Sequence, residues 1–429
     1  MLVRRVVSSR PSSLALVVFA LSGPALADEP VPGLAPSTAR TVEMRHAGWS
    51  RTRPRSDAAR FGMIRGGTRL AVRGQVPARA GDPCRAELWW AVEPMGFICG
   101  RDAVPTGEPP GGEPVLALRP GRRVPYSYAI VRAESLPGFQ TPDDVRAGRA
   151  SKSFSKGMML AVRGYQDVDG VAYVRSWERL LVRQDGVRGM GSGSTWVGER
   201  LGPGTKLPFG WTVPRRARVY RDPTSRPDPA RVPRRTRVDV VEERGDFVRT
   251  PLGWLRAADV AVVRRISPPA GVDARGKWID VDVGEQTLVA YEGSTPVYAT
   301  LISSGTSERT PLGNYPIWAK VASIDMDNQE GDENVYTVQR VPWVLFFQEH
   351  NALHGAYWHD RFGSRASHGC VNLAPADARM LFDWALPPLS PGWEGFMPED
   401  LSRSVVVHIR NSARIPPFEQ QARIGPPRE

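Results

Sequence analysis

Trp278-Ile-Asp-Val-Asp-Val283 is the stretch of sequence that decides the fold. Its alternation of apolar and polar residues predicts a β-strand. Similar runs follow at 286–291 and 296–302, so the sequence predicts a β-meander. A later strand is expected at 341–348, and a helix is expected at 375–386, where a proline occupies an early position.

Upstream of this meander, short internal repeats indicate a series of small β modules. Gly67-Thr-Arg-Leu-Ala-Val-Arg-Gly74 returns as Gly157-Met-Met-Leu-Ala-Val-Arg-Gly164, and a weaker echo begins at Arg235. The segment 94–102 also aligns with 251–259, keeping Pro, Gly, an aromatic residue and Asp in register. Short strands bounded by turns suit small barrels, and these stretches resemble bacterial SH3-like domains.

The composition and the joints between segments define the expected organisation. A chain of 429 residues is longer than a single hydrophobic core usually supports, so several domains are expected. Its 42 glycines and 40 prolines favour short strands over long helices. Joints rich in Gly, Pro or Ser divide the chain. We expect modules at 42–105, 113–188 and 195–265, with the SH3-like character of the second left open, then a larger domain at 273–410 and a flexible tail at 411–429.

The net charge of +12 raises the question of an anionic partner. Arginines spread among acidic residues, without a basic arm or a DNA-binding motif, indicate a solvated basic surface. We therefore expect no nucleic-acid partner. An anionic polymer such as a cell wall remains a reasonable partner.

The first 27 residues predict export. Arg4, Arg5 and Arg10 precede an apolar run at 14–21, and Ala25-Leu-Ala27 provides small residues for cleavage. The apolar run is too short for a membrane-spanning helix. We expect a periplasmic or cell-envelope protein that has no stable membrane span after cleavage.

Three cysteines leave one unpaired if the other two form a disulfide. Cys84 and Cys99 lie 15 residues apart in one β-like segment and are the natural pair in an oxidising compartment. Cys370 then remains free, and a free thiol outside the cytosol must be either buried or used.

Cys370 lies in the densest cluster of reactive side chains in the chain. The cluster begins at His354 and ends with Ser367-His-Gly-Cys-Val-Asn372. This pattern, with His-Gly 16 residues before the cysteine, resembles the catalytic signature of L,D-transpeptidases of the YkuD type. Thr310-Pro-Leu-Gly-Asn-Tyr315 matches another segment of those enzymes, and the resemblance covers about 273–410. It implies a β-sandwich-like catalytic domain with one or two helices.

The chemistry of an acyl-transfer site assigns roles within this cluster. An unperturbed thiol is mostly protonated at neutral pH, so Cys370 as a nucleophile needs a base beside it. His354 and His368 are the candidates. The resemblance implies that His354 is the general base and acid, oriented by a backbone carbonyl. His368 is expected to orient the loop, and the backbone N–H of Gly369 is expected to help bind the oxyanion.

Further residues around the motif are expected to hold the loop or contact the substrate. Ser367 and Asn372 suit side-chain to backbone hydrogen bonds, and Arg365 could meet a carboxylate. Aromatic residues next to the motif are expected to shape the cleft. The expected substrate-binding set is Ser367, Asn372, Arg365, Tyr357, Trp358 and Trp343.

The implied function is a peptidoglycan L,D-transpeptidase that forms 3-3 cross-links between stem peptides through a thioester, without a cofactor. Three alternatives stay open: an L,D-carboxypeptidase, an enzyme that attaches a protein to peptidoglycan, and a non-catalytic wall-binding protein. Zinc is the chemical rival, but His354 and His359 are five residues apart in a loop and lack a paired Cys-x-x-Cys. We therefore expect no metal. The sequence leaves the oligomeric state open.

Overall fold

The computed structural model describes residues 31–114, 116–191, 193–273, 275–327, 337–385 and 387–412. The predicted signal segment at 1–27 and positions 413–429 of the predicted tail lie outside the described residues. The described part consists mainly of β-strands and contains two α-helices. The prediction of a mainly β chain with one or two helices is confirmed. No helix among these residues has both the length and the apolar character needed to cross a bilayer.

The first module contains seven strands and the disulfide Cys84–Cys99, the pair that the sequence predicts. Across the module the hydrogen-bonded order is β7-β1-β4-β5-β6-β2-β3. The strands are β1 (Thr41–Met44), β2 (Gly48–Arg51), β3 (Arg60–Ile64), β4 (Arg69–Pro77), β5 (Leu88–Val92), β6 (Phe97–Cys99) and β7 (Ala103–Thr106).

The second module repeats this topology. Its order is β14-β8-β11-β12-β13-β9-β10, which is the order of the first module counted from its own first strand. The elements are β8 (Ser127–Val131), β9 (Ser135–Phe139), α1 (Pro142–Arg146), β10 (Lys152–Ser155), β11 (Met159–Val168), β12 (Val171–Ser176), β13 (Leu181–Arg183) and β14 (Val187–Gly189).

The third module has the same order with its fourth strand broken in two. One sheet runs β19-β16-β23 and the other β18-β17-β22-β21-β20, and consecutive β19 and β20 together take the place of the fourth strand. After β15 (Glu199–Arg200), the strands are β16 (Phe209–Thr212), β17 (Arg216–Tyr220), β18 (Pro227–Pro233), β19 (Arg237–Asp239), β20 (Glu242–Arg244), β21 (Phe247–Thr250), β22 (Gly253–Arg256) and β23 (Val260–Val263).

The sequence repeats coincide with equivalent structural features. Gly67 and Gly157 both have positive φ in the turn before the fourth strand. In each of these two modules the register of that strand then shifts at the Val-Arg-Gly step, between Val72 and Gly74 and between Val162 and Gly164. Three related modules therefore precede residue 265. No closed barrel was detected in the part of the chain that the structure describes, so their SH3-like character stays a prediction.

The C-terminal domain is built from two sheets and one helix. A six-stranded sheet has the order β15-β26-β25-β24-β33-β27. The second sheet runs β32-β28-β29-β30-β31. The elements are β24 (Lys277–Asp282), β25 (Thr287–Glu292), β26 (Thr295–Leu301), β27 (Gly313–Pro316), β28 (Ala319–Asp327), β29 (Thr337–Gln348), β30 (Asn351–Gly355), β31 (Val371–Leu373), α2 (Pro375–Trp384), β32 (Trp393–Phe396) and β33 (Val406–Arg410).

One apolar core joins the two sheets and the helix. It combines Ile279 and Val281 of β24 with Leu353 of β30 and Val371 of β31. Leu381 of α2 packs into the same core. Burying this surface removes apolar area from water and holds the loop between β30 and β31 over a rigid base.

The deciding strand, β24, is buried on both faces. Asp280 and Asp282 lie opposite the apolar core, yet each is only 1% exposed. Arg410 of β33 donates to Asp280 at 2.9 Å and approaches Asp282 at 2.6 Å. The alternation in the sequence therefore marks a buried ion-paired face.

All three modules contact the C-terminal domain. In the first module β3 pairs with β32, so its strands continue into the second sheet. In the second module Tyr128 stacks on Tyr357 with ring centres 3.4 Å apart. In the third module Arg264 approaches Glu285 at 2.6 Å. The C-terminal domain is thus supported from several sides.

Replacing Arg410 by methionine tests the buried ion pairs of β24. Because Arg410→Met leaves two buried carboxylates without a counter-charge, we expect a loss of about 3–5 kcal/mol in unfolding free energy. Urea unfolding followed by tryptophan fluorescence measures it. The control is Arg379→Met, which removes the exposed pair with Asp383 and should cost less than about 0.5 kcal/mol. Equal losses in the two variants would contradict this account.

Candidate active site

The pairing of β30 with β31 brings Cys370 and His354 to one face of the second sheet. The strands are parallel, with Leu353 opposite Val371 and His354 opposite Asn372. Leu353 and Val371 point into the core, so His354 and Asn372 point to the other face. Cys370 directly precedes β31, and its side chain packs against the apolar cluster that contains Ala352, which lies two residues before His354 on the same face of β30.

A tight turn presents the thiol at the start of β31. Gly369 has a φ of +151°, and a Cβ at this position would lie 2.5 Å from Oδ1 of Asn351. Only glycine fits here without a shift of its neighbours. The hydroxyl of Thr310 donates to the carbonyl of Gly369 at 2.7 Å and accepts from the N–H of Gly305 at 2.8 Å. The turn is therefore held by Thr310, which lies between two strands of the six-stranded sheet.

The half-buried thiol of Cys370 is held in its neutral form. Its Sγ donates to the carbonyl of His350 at 3.7 Å. Burial raises the pKa of the thiol to about 11, although a hydrogen bond with the backbone of Ala352 works in the opposite direction. At neutral pH the resting thiol therefore keeps its proton.

His354 is buried as a neutral imidazole. Its side chain is 2% exposed and its ring stacks on Trp358 with centres 5.7 Å apart. Burial lowers its pKa to about 4, and a hydrogen bond with the backbone of Gly355 offsets this only in part. Nδ1 has no well-aligned hydrogen-bond partner within the described residues. A neutral imidazole has one unprotonated nitrogen, so the ring can accept a proton.

The two pKa shifts have one cause, because burial disfavours each ion separately. A thiolate and an imidazolium formed together attract each other, and this attraction is strong where water is excluded. The arrangement therefore suits proton transfer coupled to nucleophilic attack. It does not suit a thiolate that stands ready at rest.

His359 and Asn372 form a second polar pair that the sequence reasoning missed. Nε2 of His359 lies 2.9 Å from the Asn372 side chain, and its Nδ1 accepts from the N–H of Arg361 at 3.2 Å. Burial is the main cause that lowers the pKa of His359 to about 4. The Asn372 atom nearest to Nε2 is the amide nitrogen Nδ2, and the tautomer of the ring decides which of the two groups donates. The sequence does place His359 in the cluster of reactive side chains, but there it is considered only as a zinc ligand.

With this geometry in place, comparison with known proteins decides the identity of the C-terminal domain. Residues 276–407 match the model of the YkuD family, described as the L,D-transpeptidase catalytic domain. The C-terminal domain is a YkuD-type L,D-transpeptidase catalytic domain. A Bacillus subtilis (strain 168) protein named as an L,D-transpeptidase, YciB, is 28% identical over 117 residues. That match covers 25% of this chain and 59% of the relative's length.

Solved structures of L,D-transpeptidases resemble about a third of the chain. A mutant L,D-transpeptidase of Enterococcus faecium is 20% identical, with a TM-score of 0.26, over 32% of this chain and 50% of its own. An L,D-transpeptidase of Mycobacterium smegmatis is 20% identical, with a TM-score of 0.25, over 31% of this chain and 58% of its own. These likenesses cover about the length of the catalytic domain.

Within the L,D-transpeptidase domain, the other predicted site residues differ in burial and in hydrogen-bond partners. Ser367 is buried, donates to the carbonyl of Cys370 and accepts from the N–H of Gly369 at 3.2 Å. The Gly369 N–H therefore already donates to the Ser367 hydroxyl, and it must divide its hydrogen bond between Ser367 and the substrate to bind a substrate oxygen. His368 has an exposed side chain. Arg365 donates to the carbonyl of Val283 at 3.2 Å and lines a cavity of about 100 Å³.

Two aromatic residues expected in the cleft lie elsewhere. Trp343 is 3% exposed in the core between the sheets. Tyr357 is 2% exposed, is covered by Tyr128 and donates to the carbonyl of Gln339 at 2.9 Å. Both expectations are corrected, because these side chains pack inside the protein. Ser367 and Asn372 are likewise occupied inside the domain, and Trp358 remains partly exposed beside His354.

The described residues contain no group of three or more His, Cys, Asp or Glu side chains placed to hold a metal ion. Asn372 occupies the Nε2 side of His359, and Trp358 covers the ring of His354. His359 and His354 thus make separate contacts.

The pH dependence of Cys370 alkylation tests its neutral resting state. Because burial raises the pKa of the thiol, the thiolate fraction should increase about tenfold per pH unit from pH 7 to pH 9. The rate of iodoacetamide modification, followed by intact mass, should therefore rise throughout this range. A rate that is already level at pH 7 would contradict the neutral thiol.

Proposed function

We propose that this protein is a peptidoglycan L,D-transpeptidase in which Cys370 is the nucleophile and His354 the general base and acid. The supporting observation is that His354 lies on β30 and Cys370 directly precedes β31, its parallel neighbour, inside a domain that matches the YkuD family. The activity, substrate and partners of the whole chain belong to this proposal.

The first half-reaction is acylation of the thiol. His354 takes the proton from Cys370 as the sulfur attacks the carbonyl of the third residue of a tetrapeptide stem. The peptide bond breaks, His354 passes the proton to the leaving terminal D-alanine, and a thioester remains. The N–H groups of Gly369 and Cys370 are the proposed donors to the oxyanion, provided that Gly369 shares its donor with Ser367.

The second half-reaction transfers the acyl group to an amine. The side-chain amine of a diamino acid on a second stem attacks the thioester, His354 accepts its proton, and the thiol is restored with a 3-3 cross-link formed. Water in place of the amine gives an L,D-carboxypeptidase. A protein amine gives attachment of a protein to the wall.

The proposal places the protein in the cell envelope. The predicted signal segment favours export, and the Cys84–Cys99 disulfide suits an oxidising compartment. The three N-terminal modules then have access to the wall polymer, to which a basic surface is suited.

Acylation by a carbapenem tests the proposed nucleophile and base. We expect one adduct per chain by intact mass spectrometry, with no adduct in Cys370→Ala. His354→Ala should lower the acylation rate about 100-fold or more, because a positioned general base contributes about this much. The matched control is His46→Ala, which alters an exposed histidine of the first module and should acylate like the wild type.

Muropeptide analysis after incubation with tetrapeptide substrates separates the candidate reactions. A 3-3 dimer supports the transpeptidase, and tripeptide alone supports the carboxypeptidase. Cross-linking that persists in Cys370→Ala would contradict the proposed site. A wild-type protein that neither acylates nor turns over muropeptides would favour a wall-binding role.

A further inference from the structure

The loop between β30 and β31 is fastened to the third module at Asp360. The guanidinium of Arg235 donates to Oδ1 of Asp360 at 2.7 Å and to Oδ2 at 3.1 Å. It also donates to the backbone carbonyl of Asp360 at 3.2 Å. The hydroxyl of Ser194, in the segment between the second and third modules, donates to the same carboxylate. Asp360 is therefore held by two segments outside the catalytic domain.

This attachment has a better defined geometry than an ordinary surface ion pair, although the Asp360 side chain is 51% exposed. The Arg235 side chain is only 15% exposed, and its guanidinium lies over the ring of Trp196, 5.2 Å from the centre. A two-pronged arginine to carboxylate pair fixes geometry as well as charge. Burial works to raise the pKa of Asp360, but hydrogen bonds from Arg235 and Ser194 keep it below its ordinary value. The carboxylate is thus ionised at neutral pH.

Neighbouring contacts fix the rest of the loop to the same module. Arg234 donates to the carbonyl of Phe362 at 3.0 Å, and the Phe362 side chain is fully buried. Gly363 fits closely against the third module, since a Cβ there would lie 3.2 Å from Val213. The loop therefore takes its path from the third module as well as from its own strands.

The fixed loop leads directly to the nucleophile. His359 precedes Asp360 and contacts Asn372, which lies two residues after Cys370 and opposite His354. A sequence of direct contacts thus runs from Arg235 through Asp360, His359 and Asn372 to β31, the strand that directly follows Cys370. Each link is a hydrogen bond or a chain neighbour.

We propose that Arg235 is a positioning residue for the acyl-transfer site, through its ion pair with Asp360. The third module is then a working part of the active site and not only a wall-binding attachment. This inference rests on the proposed function, because its effect is measured as acylation of Cys370. It concerns a residue of the third module, outside the matched range of 276–407.

Charge reversal and charge exchange in the full-length chain test the ion pair. Arg235→Asp and Asp360→Arg should each lower the maximal rate constant of carbapenem acylation about tenfold or more, since small displacements of reacting groups are costly. The double exchange should recover to within about threefold of the wild type, as expected for directly coupled residues. The carbapenem concentration at half-maximal rate should stay unchanged, because Arg235 does not contact the ligand.

Arg237→Asp is the matched control. Arg237 belongs to the same module and approaches Glu199 at 2.9 Å, but its pairs lie outside the loop. It should acylate within about twofold of the wild type. If a charge reversal fails to fold, as judged by circular dichroism, Asp360→Asn keeps the acceptor oxygen and should still lower the rate about threefold.

Two results would overturn the inference while leaving the proposed function intact. One is a wild type that acylates while folded Arg235→Asp acylates at the same rate. The other is an exchange variant no faster than the single variants. A wild type that is not acylated at all instead counts against the proposed function.

Discussion

The parallel pairing of β30 with β31 is the constraint on which the site depends. One register puts Leu353 and Val371 into the core and places His354 on the opposite face, beside the strand that directly follows Cys370. A slip of β31 by one residue would turn its side chains to the opposite faces. The thiol would then point into the core, away from the imidazole of His354. The core between the sheets therefore specifies the chemistry as well as the fold.

Burial is the second determinant, and the modules contribute to it. Tyr128 of the second module covers Tyr357, and the apolar cluster around this contact includes Ala352 and reaches Cys370. The same exclusion of water raises the pKa of the thiol and lowers that of His354. A neutral pair resists adventitious oxidation, since the thiolate is the reactive form. The cost is that the proton must move during the attack itself.

The sequence predicted the local parts of this account and missed the long-range ones. The free Cys370, the upstream His354 and the sharp turn at Gly369 could be predicted because each is encoded within a short motif. The Arg235–Asp360 pair could not, because 125 residues separate its members. The prediction that Trp343 and Tyr357 shape the cleft is based on their nearness to the motif in sequence. Nearness in sequence does not reveal which way a side chain points. In the sequence, the shared strand order of the three modules leaves only short repeats around a turn and a bulge.

The most direct test of the central claim is a crystal structure of the protein after reaction with a tetrapeptide donor. We predict continuous density from Sγ of Cys370 to the carbonyl carbon of the third residue, with a nitrogen of His354 within about 4 Å of the sulfur. An acyl group attached to any protein atom other than Sγ of Cys370 would contradict the account. So would a His354 ring turned away from an acylated thiol.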